Sequence, residues 1–293
     1  MNTPKISVII PTYRDWDSLQ LCLDALVAQS LQIDDFEIII SNNEPSVVAP
    51  DGFTLPQNAR MIATSVPGSY AARNAAVLVS RGSMLAFTDS DCVPAQHWLA
   101  SAVTVFENDP AVCRISGPVQ LFVPDGKWTA TALYDRTFML QQEKFAALGK
   151  AATANTFARR EVFGAIGPFD QSLLTGGDHE WSERAQKAGF TLCFCSQVIV
   201  AHPARSRFRD LIRKIRRFEG GKVARKRMRG DRVILPRLRY LLVPIPRLVS
   251  LLRNETLTPS EALRVWVVLY AVRLCSVAEQ IRLTVFQGSY ERR

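Results

Sequence analysis

The sequence predicts an α/β fold, a doubly wound, Rossmann-like mixed sheet, followed by a basic helical extension. Three observations carry that expectation. Short apolar runs alternate with amphipathic segments between Ile6 and Asp91, the rhythm of strand–helix–strand units. Those runs stop abruptly at polar or proline-containing segments, as buried parallel strands do. The charge is also divided unevenly. Residues 1–202 hold 14 Lys/Arg against 20 Asp/Glu, and residues 203–293 hold 22 against 7, within a total of +9.

The elements follow in order. "ISVIIP" (Ile6–Pro11) is an apolar run ended by proline, a first strand. "DWDSLQLCLDALVAQS" (15–30) places Leu19, Leu23, Leu26 and Val27 at helical spacing, with Asp15 or Asp17 able to cap. "FEIIIS" (Phe36–Ser41) is a second strand and "ARMIAT" (Ala59–Thr64) a third. "AARNAAVLVSRG" (Ala71–Gly82) reads as a helix ended by Gly82. "SMLAFTDSD" is the next strand. Ligands in such sheets bind beyond the carboxyl ends of the strands. The segments "PTYR" (11–14), "NNEP" (42–45) and "DSDC" (89–92) are therefore expected to converge on one cleft. Beyond Pro94 the pattern predicts a helix over 95–108, a strand pair over 113–123, helix over 126–150 and a strand in "TLCFCSQVIVAHP".

The six cysteines at 22, 92, 113, 193, 195 and 275 are scattered. Cys193 and Cys195 lie two apart in a stretch that reads as a strand, a poor metal-ligand spacing. Reduced structural thiols in a cytoplasmic protein are expected. "MNTPKISVII" lacks the basic-then-apolar pattern of a signal peptide.

Asp89 and Asp91 stand where a hydrophobic strand surfaces, separated only by Ser90. An Asp-x-Asp pair can be a simple turn or cap. At a strand tip of an α/β sheet, two such carboxylates repel unless a cation sits beside them. Oxygen ligands suit Mg²⁺ or Mn²⁺, ions that also hold phosphates. Asp178 and Glu180 in "TGGDHEWSERA" sit at a predicted helix start after Gly176 and Gly177. They are either cap and first-turn acids or a general base at the cleft. His202 closes "SQVIVAHP", and its imidazole is either structural or a ligand suited to Mn²⁺.

The ordered set "SVIIPTYR", "FEIIISNNEP", "GSYAARNAA", "LAFTDSDCVP", "ANTFARREVFGAIGPFD", "GGDHEWSERA" and "VIVAHP" resembles family 2 glycosyltransferases of the GT-A fold. It spans roughly residues 5–203. The resemblance implies transfer of a sugar from a nucleotide diphosphate sugar to an acceptor hydroxyl, with inversion. It implies a nucleotide pocket begun by Pro11, Thr12 and Tyr13 and continued by Asn42 and Asn43, where relatives usually carry an Asp. UDP or GDP is then the expected nucleotide. Arg73 matches a basic position near the donor. Asp89, Ser90 and Asp91 match the DxD motif, with Asp91 the first choice as metal ligand and Asp89 beside it. Asp178 matches the catalytic base; Gly177 stands where relatives carry Glu, so Glu180 is a rival. His202 matches a position that completes the metal site in some relatives.

The division expected is a transferase domain, 1–203, and a membrane-associating extension, 204–293. In "SRFRDLIRKIRRFEGGKVARKRMR" (206–229), Phe208, Leu211, Ile212, Ile215 and Phe218 recur at helical spacing among Arg and Lys. This is either a membrane-surface helix or a helix packed on the domain with a solvated charged face. Pro236, Pro244 and Pro246 interrupt the next apolar stretch. The longest nearly apolar run, Val265–Ala278, is 14 residues and contains Arg273, short of the ~20 a spanning helix needs. A peripheral position at the inner face of the membrane and a saccharide or lipid-linked saccharide acceptor are expected. Other readings are a non-catalytic nucleotide-sugar-binding or scaffold protein, a nucleic-acid-binding protein or a metal-dependent phosphohydrolase. The joint presence of Asp89, Asp91, Asp178 and His202 argues against the first. No nucleic-acid partner is expected, because the supporting motifs are absent.

Overall fold

The structure is a computed structural model that describes residues 3–173, 175–228, 230 and 238–286. Arg229 and Pro236, which fall within the expected basic helix and the expected proline interruption, lie outside the described residues.

The chain opens with β1 (Ile6–Thr12), α1 (Trp16–Val27), β2 (Phe36–Asn42), β3 (Ala59–Ala63), α2 (Ser69–Val79) and β4 (Met84–Phe87). There follow β5 (Val93–Pro94), α3 (Trp98–Asn108), β6 (Arg114–Ser116), β7 (Val119–Phe122), α4 (Ala130–Phe138) and α5 (Gln142–Ala146). Then come β8 (Thr156–Arg159), α6 (Arg160–Ile166), α7 (Gly177–Lys187), β9 (Leu192–Phe194) and β10 (Val200–Pro203). The last helices are α8 (Phe208–Met228), α9 (Ile245–Leu252) and α10 (Pro259–Thr284).

These elements form two units, one of Met1–Leu121, Gln141–Ser172 and Gly177–Pro203, the other of Phe122–Leu140, Leu173–Gly176 and Ala204–Arg293. The boundary expected at residue 203 is thus crossed by two segments that belong to the helical unit. The reason is apolar burial. Leu133 and Tyr134 of α4 join Leu211 and Ile215 of α8 and Val265 and Val268 of α10 in one core.

The first unit is a seven-stranded sheet in the order β3-β2-β1-β4-β8-β6-β9. The first four strands are parallel, and β8 runs antiparallel to both of its neighbours. Every residue of β1, β2 and β4 is buried, which explains why these strands read as unbroken apolar runs rather than alternating ones. α1 and α3 cover one face, placing Leu19, Leu23, Trp98 and Phe106 in a core with strand residues such as Val8 and Ile38. Beyond β4, Phe87, Phe163, Phe169 and Trp181 stack on one another, with ring centroids 4.5–5.5 Å apart. A smaller sheet has the order β5-β10-β7.

Several expected elements take a different form. The strand pair over 113–123 divides between the two sheets, β6 in the large one and β7 in the small. The helix expected over 126–150 is two short helices, separated where Leu140 takes a left-handed φ of 48°. Asp15 occupies the N-cap of α1 but makes no side-chain cap bond. All six cysteines are free.

In the helical unit, the apolar face of α8 is buried at its centre, Leu211 completely and Ile215 nearly so, while Phe208 is exposed and Ile212 and Phe218 are half-buried. Leu211 and Ile215 pack there against residues of α4 and α10 within the helical unit. α10 begins with a complete capping box. Thr258 accepts from the Glu261 N–H, and the Glu261 carboxylate accepts from the Thr258 N–H. Among the described residues no helix is long and apolar enough to cross a membrane.

Candidate active site

Parallel pairing aligns the carboxyl ends of β1, β2 and β4, with Thr12 opposite Asn42 and Ile9 opposite Phe87. The segments that follow are tied to one another as expected from their positions. The Asn43 N–H donates to the Thr12 carbonyl at 2.9 Å, and the Ser90 hydroxyl donates to Asp15 Oδ2 at 3.4 Å.

At the end of β1, Pro11 and Thr12 are buried, and Tyr13 just beyond it is half-buried. Thr12 Oγ1 is buried without a hydrogen-bond partner, a polar group that a ligand could satisfy. Arg14 adopts a left-handed φ of 56°, stacks over the Tyr13 ring at 5.2 Å and pairs with Glu44 at 3.1 Å. The Ser46 hydroxyl, and after it the Tyr13 hydroxyl, hold the exposed Glu44 carboxyl below its ordinary value.

The two asparagines after β2 have their amides committed within the protein. Asn42 donates to the Val47 carbonyl at 3.1 Å and accepts from the Glu44 N–H at 3.0 Å. Asn43 donates to the Thr64 and Val66 carbonyls at 3.1 and 2.7 Å and accepts from the Gly68 N–H at 2.7 Å. These bonds fasten residues 42–47 to residues 64–68, so the asparagines build the wall of the site.

Arg73, on the buried face of α2, forms an ion pair with Asp89. Its Nε is buried with no partner. Asp91 lies two residues on, and its Oδ2 is 3.5 Å from His202 Nε2. His202 Nδ1 is 2.8 Å from the Pro203 carbonyl. A carbonyl can only accept, so Nδ1 carries a proton there. In the neutral imidazole, Nε2 then directs a lone pair toward a carboxylate. That arrangement is repulsive unless a cation lies between them, and a carbonyl on the opposite nitrogen is the usual support for a metal-bound histidine.

One atom each from Asp91, Cys92 and His202 lies within 4.8 Å of the others. Cys92 is fully buried, and burial, reinforced by Asp89 and Asp91, pushes its thiol well above the ordinary value. A sulfur donor is also softer than Mn²⁺ or Mg²⁺ prefers. The remaining donors, one carboxylate oxygen and one imidazole nitrogen, fit Mn²⁺ or Mg²⁺ with positions left for a substrate.

Asp178 and Glu180 both lie in the first turn of α7, but their surroundings differ. Glu180 is bound through both oxygens by Arg184, at 2.8 and 3.2 Å, and the pair lines a cavity of about 760 Å³ with Asn74 and Phe169. Asp178 Oδ1 accepts from the Tyr70 hydroxyl at 3.3 Å and the His179 N–H at 2.9 Å. Its Oδ2 receives no bond from a described residue. The Tyr70 ring also lies 5.8 Å from the Arg73 guanidinium, so one aromatic side chain links the Asp178 and Asp89 arms. Burial, and then the Asp178 charge, push the Tyr70 phenol upward, keeping it a donor.

Tyr70 also accounts for Gly177. A Cβ at 177 would meet the tyrosine ring at 2.8–2.9 Å. Gly176 alone has the left-handed φ, 73°. The two adjacent glycines therefore serve different needs, a turn at 176 and space at 177. Within "GSYAARNAA" nothing local assigns Tyr70 a role, since its partner is 108 positions away.

Comparison with known proteins identifies the family and the fold. The family described as "Glycosyl transferase family 2" matches residues 7–167. The chain is 34% identical to the glycosyltransferase AglE of Haloferax volcanii over 95% of both chains. It is 28% identical to the pre-mycofactocin glycosyltransferase of Mycobacterium tuberculosis, over 54% of this chain and 34% of that one. Among solved structures it resembles the mannosyltransferase PcManGT from Pyrobaculum calidifontis in complex with GDP-Man and Mn²⁺. The TM-score is 0.56, with 18% identity over 100% of this chain and 78% of that one. S. aureus TarS 1–349 in complex with UDP-GlcNAc gives a TM-score of 0.54, with 14% identity over 98% and 93%. At these identities the structural likeness concerns the GT-A fold. Matched over more than half its length by the family and nearly end to end by a named relative, the chain belongs to glycosyl transferase family 2 and is a glycosyltransferase.

Proposed function

We propose that the enzyme moves a sugar from a UDP- or GDP-linked donor to a saccharide or lipid-linked saccharide hydroxyl, with inversion, and depends on a divalent metal. The observation that carries the metal is the Asp91–His202 approach at 3.5 Å, with the far imidazole nitrogen committed to a carbonyl. The GDP-Man, Mn²⁺ and UDP-GlcNAc in the structural neighbours support the donor class.

Mn²⁺ or Mg²⁺ held by Asp91 and His202 would supply a fixed counter-charge for the diphosphate that leaves. Arg73 orients Asp89 beside it. Asp178 takes the acceptor's proton on Oδ2, while Tyr70 and the His179 N–H hold Oδ1. A hydroxyl that attacks opposite the leaving group in one displacement inverts the anomeric carbon. Thr12 and Tyr13 face the nucleotide, and Asn42 and Asn43 shape its loop.

A peripheral membrane position at the cytoplasmic face is supported by the helical unit. Leu242, Val243, Ile245, Val249 and Leu252 are 44–70% exposed and interleave with Arg247 and Arg253. Apolar residues flanked by cations suit an anionic membrane surface, where each Lys or Arg contributes ~1 kcal/mol.

Thermal-shift titration of UDP- and GDP-sugars, with and without Mn²⁺, tests the site. One donor series should raise the Tm of the wild-type protein only with metal. His202→Ala should lose the metal-dependent part. Equal shifts with and without Mn²⁺ would remove the metal from the scheme.

A further inference from the structure

The helical unit contains a groove of about 750 Å³ lined by α8, α10, the first turn of α9 with the segment before it, and the end of α4. Two kinds of side chain line it. Ile215, Phe218, Leu269 and Val272 supply apolar surface. Lys222, Arg239, Arg247 and Arg273 supply four cations, with Glu219 as the only carboxylate among the described lining residues. Glu219 already accepts from Lys222 at 2.8 Å and from Gln280 at 2.8 Å. The three arginines have no carboxylate partner among the described residues.

Two of these arginines are held in place by neutral contacts. The Arg273 guanidinium lies 4.8 Å from the Tyr240 ring centre, and that of Arg239 5.9 Å from it. Arg273 also donates to the Arg239 carbonyl at 3.2 Å. Stacked guanidinium groups keep their in-plane N–H donors available, and that donor geometry matches phosphate oxygens. Leu242 and Val243 belong to the same lining and are 70% and 50% exposed. The apolar surface therefore runs from the groove to solvent, where a free anion would have no use for it.

We infer that this groove binds one phosphorylated long-chain lipid. Its phosphate is held by Arg239, Arg247 and Arg273, and the first methylenes of its chain lie against Ile215, Phe218, Leu269 and Val272. The rest of the chain leaves past Leu242 and Val243 into the bilayer. Charge complementarity selects the head, and the continuous apolar lining selects the tail. The inference deepens the membrane reading above and rests on it for the origin of the ligand.

Calorimetry with full-length protein tests it, using dodecyl phosphate below its micelle threshold, inorganic phosphate and dodecanol. Dodecyl phosphate should bind at one site, and both half-ligands should bind far more weakly. Arg247→Gln and Arg273→Gln should each lower dodecyl phosphate affinity about tenfold, as the loss of one charge-assisted contact does, without changing Tm. Inorganic phosphate that binds as tightly would make the site a simple anion site. Equally tight dodecanol would make it a nonspecific apolar surface. No dodecyl phosphate binding, or binding that both variants retain, would equally overturn the proposal. Flotation with vesicles of phosphatidylcholine and phosphatidic acid separates the two readings. Flotation that Leu242→Ser and Ile245→Ser abolish, together with no effect of the arginine variants on dodecyl phosphate binding, would keep the membrane reading and remove the groove. No flotation of the wild-type protein would remove the membrane reading itself.

Discussion

The two units use the same residue types in opposite ways. In the helical unit, two carboxylates, Asp135 and Glu279, are interior fixtures. Asp135 is completely buried and accepts from the Arg205 N–H at 2.9 Å and its guanidinium at 3.2 Å. Glu279, nearly as buried, is bound by Arg282 at 2.6 and 2.9 Å. In the α/β unit, Asp89 and Asp91 each keep about a third of their side-chain surface exposed, and Asp178 keeps one oxygen without a donor among the described residues. A carboxylate whose lone pairs are all occupied holds structure together. One that is oriented on one side and open on the other can take a metal or a proton. The difference lies in the partners, and the acidic side chain is the same.

Four substitutions test that contrast. Asp178→Asn should lower turnover by about 10²–10⁴ and leave Tm nearly unchanged, measured with saturating donor and acceptor; near-normal turnover would end its assignment as base. Asp135→Ala should lower unfolding free energy by ~3–5 kcal/mol, because Arg205 would lose its partner. Denaturant titration reads that loss, and a change within error would mean the pair is not structural. Tyr70→Phe keeps the ring and deletes one bond to Asp178. Turnover should fall about tenfold with the donor KM unchanged, whereas a rise in KM alone would show that Tyr70 serves binding.

The smallest effect concerns Glu37, a structural carboxylate inside the α/β unit. Burial pushes it up, but the Arg81 N–H, the Ser7 hydroxyl and the Arg81 guanidinium together hold it below its ordinary value. Its stabilising contribution is then complete above the ordinary carboxylate range and fades as pH falls through the depressed value. Melting curves of wild type and Glu37→Gln should differ at neutral pH and converge as the pH falls below the ordinary carboxylate range. Curves that stay parallel would show that ionisation of Glu37 is unimportant.

The parallel half of the large sheet was legible because burial on both faces turns each strand into an apolar run, as in Ile6–Ile10 and Ile38–Ile40. The positions of Asp89 and Asp91 beyond a strand followed from the apolar run of β4, whereas His202, expected at a strand end, lies within β10 of the smaller sheet. Less visible was the division of residues 113–123 between two sheets, since Gly117 and Pro118 separate strands of three and four residues, too short to show a period. The membership of α4 in the helical unit depends on contacts of Leu133 and Tyr134 with residues more than 70 positions later. The amphipathic pattern of α8 correctly marked an apolar face without saying what covers it. Local sequence also could not separate Asp178 from Glu180. Both are first-turn acids, and Arg184 and Tyr70 decide which one keeps an open oxygen.

The contact between residues 70 and 177 has a consequence for anyone altering this enzyme. Both positions draw on one small volume, so their substitutions are not independent. A methyl group added at 177 collides with an aromatic side chain that itself steadies the neighbouring aspartate. A smaller residue at 70 would relieve the collision and remove the steadying hydroxyl in the same stroke. Side-chain bulk can therefore be traded between the two positions, whereas the hydroxyl bond to Asp178 cannot be recovered by that exchange.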